Sequence, residues 1–144
     1  MNDSISTKIK FLKKFHTEDI PHKNQSLFDH LVGTRDKLKD MGAEEYIQDA
    51  GLFHSIYGTA SFKHQTVSDR SVITSLIGEE AEHLVYLFCT LPKPRTQHIL
   101  ALEDYKIRND LLLISAANEY DMSLKSEMSM EEAYGHIGFD SGRN

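Results

Sequence analysis

Apolar residues recur every three or four positions through most of this chain, while stretches that alternate polar with apolar are few and no Asn-Gly or Asp-Gly hairpin turn is present. The pattern therefore predicts helices. Asp3 or Ser4 caps a first helix carrying Ile5, Ile9, Leu12 and Phe15, which Pro21 interrupts. Asn24 or Ser26 caps a second, with Leu27, Leu31, Leu38 and Met41 at helical spacing and Gly42 as its stop. A third puts Tyr46, Ala50, Phe53 and Tyr57 on one stripe and ends at Gly58, giving an antiparallel pair with the second. Ser68-Asp69 starts a short helix through Val72, Ile73, Leu76 and Ile77, and Gly78 separates it from another running from about Glu79 to Thr90. Pro92 and Pro94 mark the next break. The run from Leu111 to Ala117 is apolar on every side, which predicts a central helix enclosed by its neighbours.

A chain of 144 residues with 40% hydrophobic and 26% charged residues has the size and composition of one globular domain. Its formal net charge of −6 repels phosphate backbones and anionic lipid, so neither nucleic acid nor a membrane surface is an expected partner. No segment approaches the roughly 20 apolar residues that span a bilayer. The single cysteine, Cys89, lies in an apolar run and has no disulfide partner, as in a reducing compartment; the expected location is the cytoplasm. The stretch from about Ser123 to Asn144 is polar and contains glycine, and is expected to be loosely held.

Eight histidines invite a metal hypothesis. His16, His64, His98 and His136 lie in polar or boundary stretches and read as solvated. His30 and His54 border the apolar stripes of adjacent helices, so their imidazoles can meet, either as hydrogen-bonded core histidines or as half of a transition-metal site. The other half of such a site needs carboxylates, and the residue beside His54 is Ser55. His22 or His83 could supply a third imidazole, which suits zinc or iron better than magnesium. Tyr57, one turn after His54, and Arg70, with its planar fork, are candidate substrate groups; the plainer alternatives are a core tyrosine and a solvated arginine.

The segments Ser26-Leu27-Phe28-Asp29-His30-Leu31, Ala50-Gly51-Leu52-Phe53-His54-Ser55 and Ile77-Gly78-Glu79-Glu80-Ala81-Glu82, with the later run Leu113-Ile114-Ser115-Ala116-Ala117-Asn118, resemble an HD-superfamily domain. In style they are similar to the hydrolase domains that act on guanosine tetraphosphate and pentaphosphate. The phrases Asp29-His30-Leu31-Val32-Gly33-Thr34 and Gly51-Leu52-Phe53-His54-Ser55-Ile56-Tyr57-Gly58-Thr59 bring the chain nearer to a group of small uncharacterised bacterial domains. The resemblance covers roughly His22 to Asp121 and implies an all-α, single-domain HD-like bundle of about six to eight helices. It divides the chain into an N-terminal helix (1–20), an HD-like core (21–122) and a loosely packed tail (123–144). It places His30 and His54 as metal ligands for zinc, manganese or iron.

The departures from that pattern concern charge. Ser55 stands where the family carries a metal-binding Asp, and Asn118 where it carries the last one, so both anionic ligands are replaced by neutral groups. Gly58-Thr59 replaces the acidic pair of the guanosine-polyphosphate hydrolases, which argues against that activity. Asp29 projects about 100° away from His30 around a helix and reads as a solvated or capping group. Asp110, two turns before Asn118, could reach the site only through a register shift, and Glu79, Glu80 and Glu82 favour the positive end of a helix dipole. Three functions remain open: an altered histidine-lined pocket that binds a small anionic metabolite or nucleotide, a metal-dependent hydrolase of a small phosphorylated metabolite using His30 and His54, and a metal-free acid/base enzyme using His54 with Tyr57.

Overall fold

The computed structural model describes residues 4–134, with side chains described for 4–125. Seven α-helices fall within the described residues: α1 (Ile5–Lys14), α2 (Leu27–Asp40), α3 (Glu45–Leu52), α4 (Arg70–Ile77), α5 (Glu79–Thr90), α6 (Arg95–Leu100) and α7 (Tyr105–Tyr134). The fold is all-α and single-domain. None of these helices is long and apolar enough to cross a membrane. The remainder of the expected tail beyond Tyr134, and His136 with it, lies outside the described residues.

Local chemistry explains most boundaries. Ser4 caps α1, Ser26 caps α2 through the Asp29 N–H at 3.0 Å, and Asp69 caps α4. Gly42 and Gly78 take positive φ values of 79° and 88°, which end α2 and kink the chain between α4 and α5. Two features differ from the sequence pattern. Pro21–His22 and Gln25–Ser26 form a minimal antiparallel hairpin, β1 and β2, around a Lys23-Asn24 turn with Lys23 at φ 58°. The Pro92/Pro94 break is followed by the short helix α6.

The third helix also stops earlier than its apolar stripe suggests, at Leu52 rather than Gly58. The cause is His54. Its ring Nδ1–H donates to the Gly51 carbonyl at 2.8 Å and its backbone N–H to the same oxygen at 3.4 Å, so both lone pairs that a continuing helix would offer to the Ser55 N–H are taken. The side chain thus caps the helix that carries it, and residues 53–57 follow as turns.

The core is built where α2 packs antiparallel to α3 and against α7. Leu27, Leu31 and Leu38 of α2, Phe53 after α3, Phe88 of α5 and Leu111 and Ile114 of α7 are fully or almost fully buried. Each such side chain contributes roughly 1.5–3 kcal/mol. The expectation that Leu111–Ala117 is enclosed all round is corrected. Asp110, Leu111, Ile114, Ser115, Ala117, Asn118 and Asp121 form one buried stripe, while Ala116 is exposed and Leu112 and Leu113 are half-buried. The helix closes one side of the bundle, and its buried stripe carries polar residues inward.

α1 belongs to the same body. Lys8 is 1% exposed, and its Nζ bonds the Asp49 carboxylate of α3 at 3.0 Å. Lys8→Met keeps the apolar stem and removes the buried Lys8–Asp49 ion pair. We expect a loss of about 3 kcal/mol, read as a lowered urea midpoint at unchanged slope.

Candidate functional site

Two α2 turns, the end of α3 and the middle of α7 meet at one polar cluster. His30 and His54 are 0% and 2% exposed. His30 Nε2 lies 3.2 Å from His54 Nε2 and 2.7 Å from Asn118 Oδ1, and His54 Nε2 lies 3.1 Å from the same oxygen. The Asn118 Nδ2 faces Glu119 Oε2 at 3.5 Å, which turns Oδ1 inward.

The outer nitrogens fix the tautomers. His54 commits its Nδ1 proton to the Gly51 carbonyl. His30 Nδ1 meets Asp121 Oδ2 at 2.8 Å, and that carboxylate also accepts from Gln25 Nε2 at 2.9 Å and Lys125 Nζ at 3.2 Å. Burial alone would raise the Asp121 pKa, but the bonds from His30, Gln25 and Lys125 outweigh it and hold the carboxyl below its ordinary value. An ionised Asp121 keeps the proton on His30 Nδ1. Three lone pairs, on two imidazole nitrogens and an amide oxygen, then face one another. Either a proton on His30 Nε2 or a cation between them removes the mutual repulsion.

The hairpin supports this arrangement. His22 and Gln25 are direct cross-strand partners, so both side chains project from one face. His22 stacks on His30 with centroids 4.1 Å apart and planes 12° apart, and Gln25 reaches Asp121. From α2, Gly33 makes room: a Cβ there would sit 2.0 Å from Asp121 Oδ1. On the far side Phe88 meets His54 edge-on at 5.1 Å, and the Cys89 thiol donates to the His54 carbonyl at 3.1 Å. Burial pushes that thiol up to about 12, so it serves as core.

A cavity of about 270 Å³ opens beside the cluster, and His22, His54, Ser55, Phe88, Arg95 and Asn118 are among the residues lining it. Five buried side-chain polar atoms among the described residues lack a hydrogen-bond partner, and three of them, His22 Nδ1, Ser55 Oγ and Arg95 Nε, belong to residues of this one cavity. Buried polar groups are almost always paired, so three such atoms beside one cavity set it apart among the described residues.

Other sequence candidates sit elsewhere. Tyr57 donates to Glu82 Oε2 at 2.8 Å, and Arg70 grips the same carboxylate through Nε and Nη2 at 2.6 and 2.8 Å while stacking on Tyr86. Glu82, read from sequence as a dipole residue, is a buried acceptor; burial would raise its pKa, but Arg70 and Tyr57 lower it. The Tyr57 hydroxyl is pushed well above its ordinary value by burial and by Glu82. His83 is exposed on α5, Asp29 is exposed, and Asp110 accepts from Tyr46 at 2.5 Å. Asp121, Gln25, Lys125 and Arg95 were not signalled by motif. Asp121 has a local clue, one turn after Asn118 on the same stripe.

A metal ion bound to donors at about 2.1 Å and right angles would set neighbouring donors about 3.0 Å apart. The triangle of His30 Nε2, His54 Nε2 and Asn118 Oδ1 has that size. Its chemistry is poor in charge, because all three donors are neutral and Asp121 reaches the cluster only through His30. Among the described residues no group of three or more His, Cys, Asp or Glu side chains is arranged to hold a metal ion.

A family model described as Domain of unknown function (DUF6817) matches residues 11–93, more than half of the chain. The chain belongs to the DUF6817 family. The DUF6817 match includes His22, His30, His54 and Ser55 and stops short of Arg95, Asn118 and Asp121, so the α7 side of the site lies beyond it. No curated protein and no solved structure matches the chain.

The buried imidazoles give this DUF6817 domain a pH signature. Burial, reinforced by His30, pushes His54 from 6.5 to about 3 and His22 from 6.5 to about 4. The unfolded chain takes up these protons near 6.5 and the folded one does not, so acid favours unfolding. Their contribution is complete above about pH 6.5 and is lost as pH falls from there toward 4 and then 3, by up to about 1.4 kcal/mol per pH unit for each group. Urea midpoints measured from pH 8 to 4.5 should be flat and then fall below 6.5; a midpoint unchanged between pH 7 and 5 would contradict these environments.

Proposed function

We propose that this is an HD-like domain whose altered, histidine-lined pocket binds a small anionic metabolite or nucleotide. The observation that carries the reading is that three of the five unpartnered buried polar atoms among the described residues, from His22, Ser55 and Arg95, belong to residues of one cavity. The neutral pair Ser55 and Asn118 supports binding over metal-assisted hydrolysis, since a dication among these donors would lack carboxylate compensation. At about 270 Å³ the cavity is at the small end for ligand sites, which suits a metabolite rather than a polymer. Thermal-shift screening against sugar phosphates, hydroxy acids and nucleoside monophosphates tests this. A ligand at a hundred times its Kd should stabilise by about 2.7 kcal/mol, and a panel without any dose-dependent shift would remove the reading.

A second reading, a metal-dependent hydrolase of a small phosphorylated metabolite, is favoured by the 2.7–3.2 Å donor triangle. His30, His54 and Asn118 would hold zinc, manganese or iron, with Asp121 orienting His30. Such an ion would activate water and polarise a phosphoryl oxygen. Elemental analysis of untagged protein purified without chelator separates the readings. Stoichiometric metal supports the second, and neither resident metal nor uptake of added manganese, iron or zinc removes it.

A further inference from the structure

Arg95 differs from the other arginines described. Arg70 is clamped on Glu82, Arg108 donates to the Leu102 carbonyl at 2.7 Å, and Arg35 lies 3.9 Å from Asp36. Arg95 makes no hydrogen bond or ion pair among the described residues, yet its Nε is buried and its guanidinium lies 4.1 Å from the centre of the Phe88 ring. Stacking on an aromatic face fixes the guanidinium plane while leaving its N–H edge for an in-plane acceptor. Glu119 lines the same cavity and acts on Arg95 through space without bonding it. A second cavity of about 260 Å³ borders the first and shares Ser61, Arg95 and Glu119, so Arg95 stands between the two.

We propose that Arg95 anchors the anionic group, a carboxylate or phosphate, of a small hydroxyl-bearing ligand. This rests on the anionic-ligand reading above and supplies its recognition chemistry. A guanidinium takes two anionic oxygens at once, and Arg95, half-buried with its Nε enclosed and no carboxylate bonded to it, has that edge to offer. The hydroxyl preference follows from His54 Nε2, Asn118 Oδ1 and the Glu119 carboxylate, acceptors among the residues lining the cavity that a ligand hydroxyl meets by donating. Ser55 Oγ can complete either type of bond.

The test is titration of 15N-labelled protein with inorganic phosphate and, separately, acetate, following the Arg95 Nε–H and Ser55 amide signals. Saturable shifts of both are expected with at least one anion, and the responding anion distinguishes phosphate from carboxylate. Arg95→Met should weaken binding at least tenfold at unchanged spectral dispersion, and Arg95→Lys should recover part of it. If Arg95→Met does not fold, the wild-type Nε–H response and Arg95→Lys decide. Saturable shifts at Ser55 and Asn118 with Arg95 Nε–H unmoved would overturn the role of Arg95 and leave the anionic-ligand reading standing. Absence of any saturable shift in the cavity would overturn both.

Discussion

Gly33→Ala is expected to destabilise the protein by about 3 kcal/mol, although the same change on an ordinary helix surface stabilises by roughly 1 kcal/mol. The added Cβ would stand 2.0 Å from Asp121 Oδ1 and 2.8 Å from its Cγ, so the carboxylate must retreat by more than an ångström. The retreat breaks its 2.8 Å bond to His30 and disturbs the Gln25 and Lys125 contacts. A general packing defect would give the same single-variant result, and the double variant separates the two. In an Asp121→Ala background the clash is gone, and Gly33→Ala should become neutral or stabilising. Urea melts of the four proteins then give a coupling of about 3 kcal/mol, at the upper end for contacting residues. A cost that persists without Asp121 would show that Gly33 answers to something else.

Asn118→Asp carries the second large effect. The substitution puts an anionic oxygen in place of one 2.7 Å from His30 Nε2 and 3.1 Å from His54 Nε2, without enlarging the side chain. A seat with suitable spacing and too little charge then acquires a carboxylate ligand. Binding of zinc or manganese is expected to tighten at least 100-fold over the wild type, which corresponds to about 2.8 kcal/mol. Calorimetry, together with a metal-dependent rise in Tm that chelator reverses, reads this directly. Without metal the new charge beside two imidazoles should favour their protonation, shifting the onset of acid destabilisation. Unchanged metal affinity would mean that the donor triangle is a hydrogen-bonded packing arrangement.

Much of the fold was legible because capping and glycine stops act locally. Ser4, Ser26, Asp69, Gly42 and Gly78 work where the pattern puts them, and α5 spans Glu79–Thr90 as its residues suggest. The misses have physical causes. α3 is shortened by a side chain of its own sequence, since His54 takes the Gly51 carbonyl. That early end carries Tyr57 to Glu82 and Arg70, where a continuous helix would have put it one turn above His54. The run 111–117 looked enclosed because Leu112, Leu113 and Ala116 are apolar, and exposure of an apolar side chain leaves no trace in a sequence.

The candidate site was half legible for a similar reason. His30, His54, Ser55 and Asn118 could be singled out from short motifs, and the structure brings His30, His54 and Asn118 into contact. Gln25, Asp121, Lys125 and Arg95 could not, because their roles depend on contacts across long stretches of chain: Gln25 meets Asp121 across 96 positions and Lys125 across 100. Only the spacing of Asn118 and Asp121 on one helical stripe hinted that the site extends along α7.

The account turns on where the protons of the two buried imidazoles lie. Long-range 1H–15N correlation spectra of the histidine side chains at pH 7 measure this. The prediction is that His54 carries its proton on Nδ1, with Nε2 bare toward Asn118, and that His30 carries a proton on Nδ1 facing Asp121. A His54 protonated on Nε2, or a His30 without a proton on Nδ1, would contradict the hydrogen-bond assignment of the His30–His54–Asn118 cluster that borders the proposed pocket.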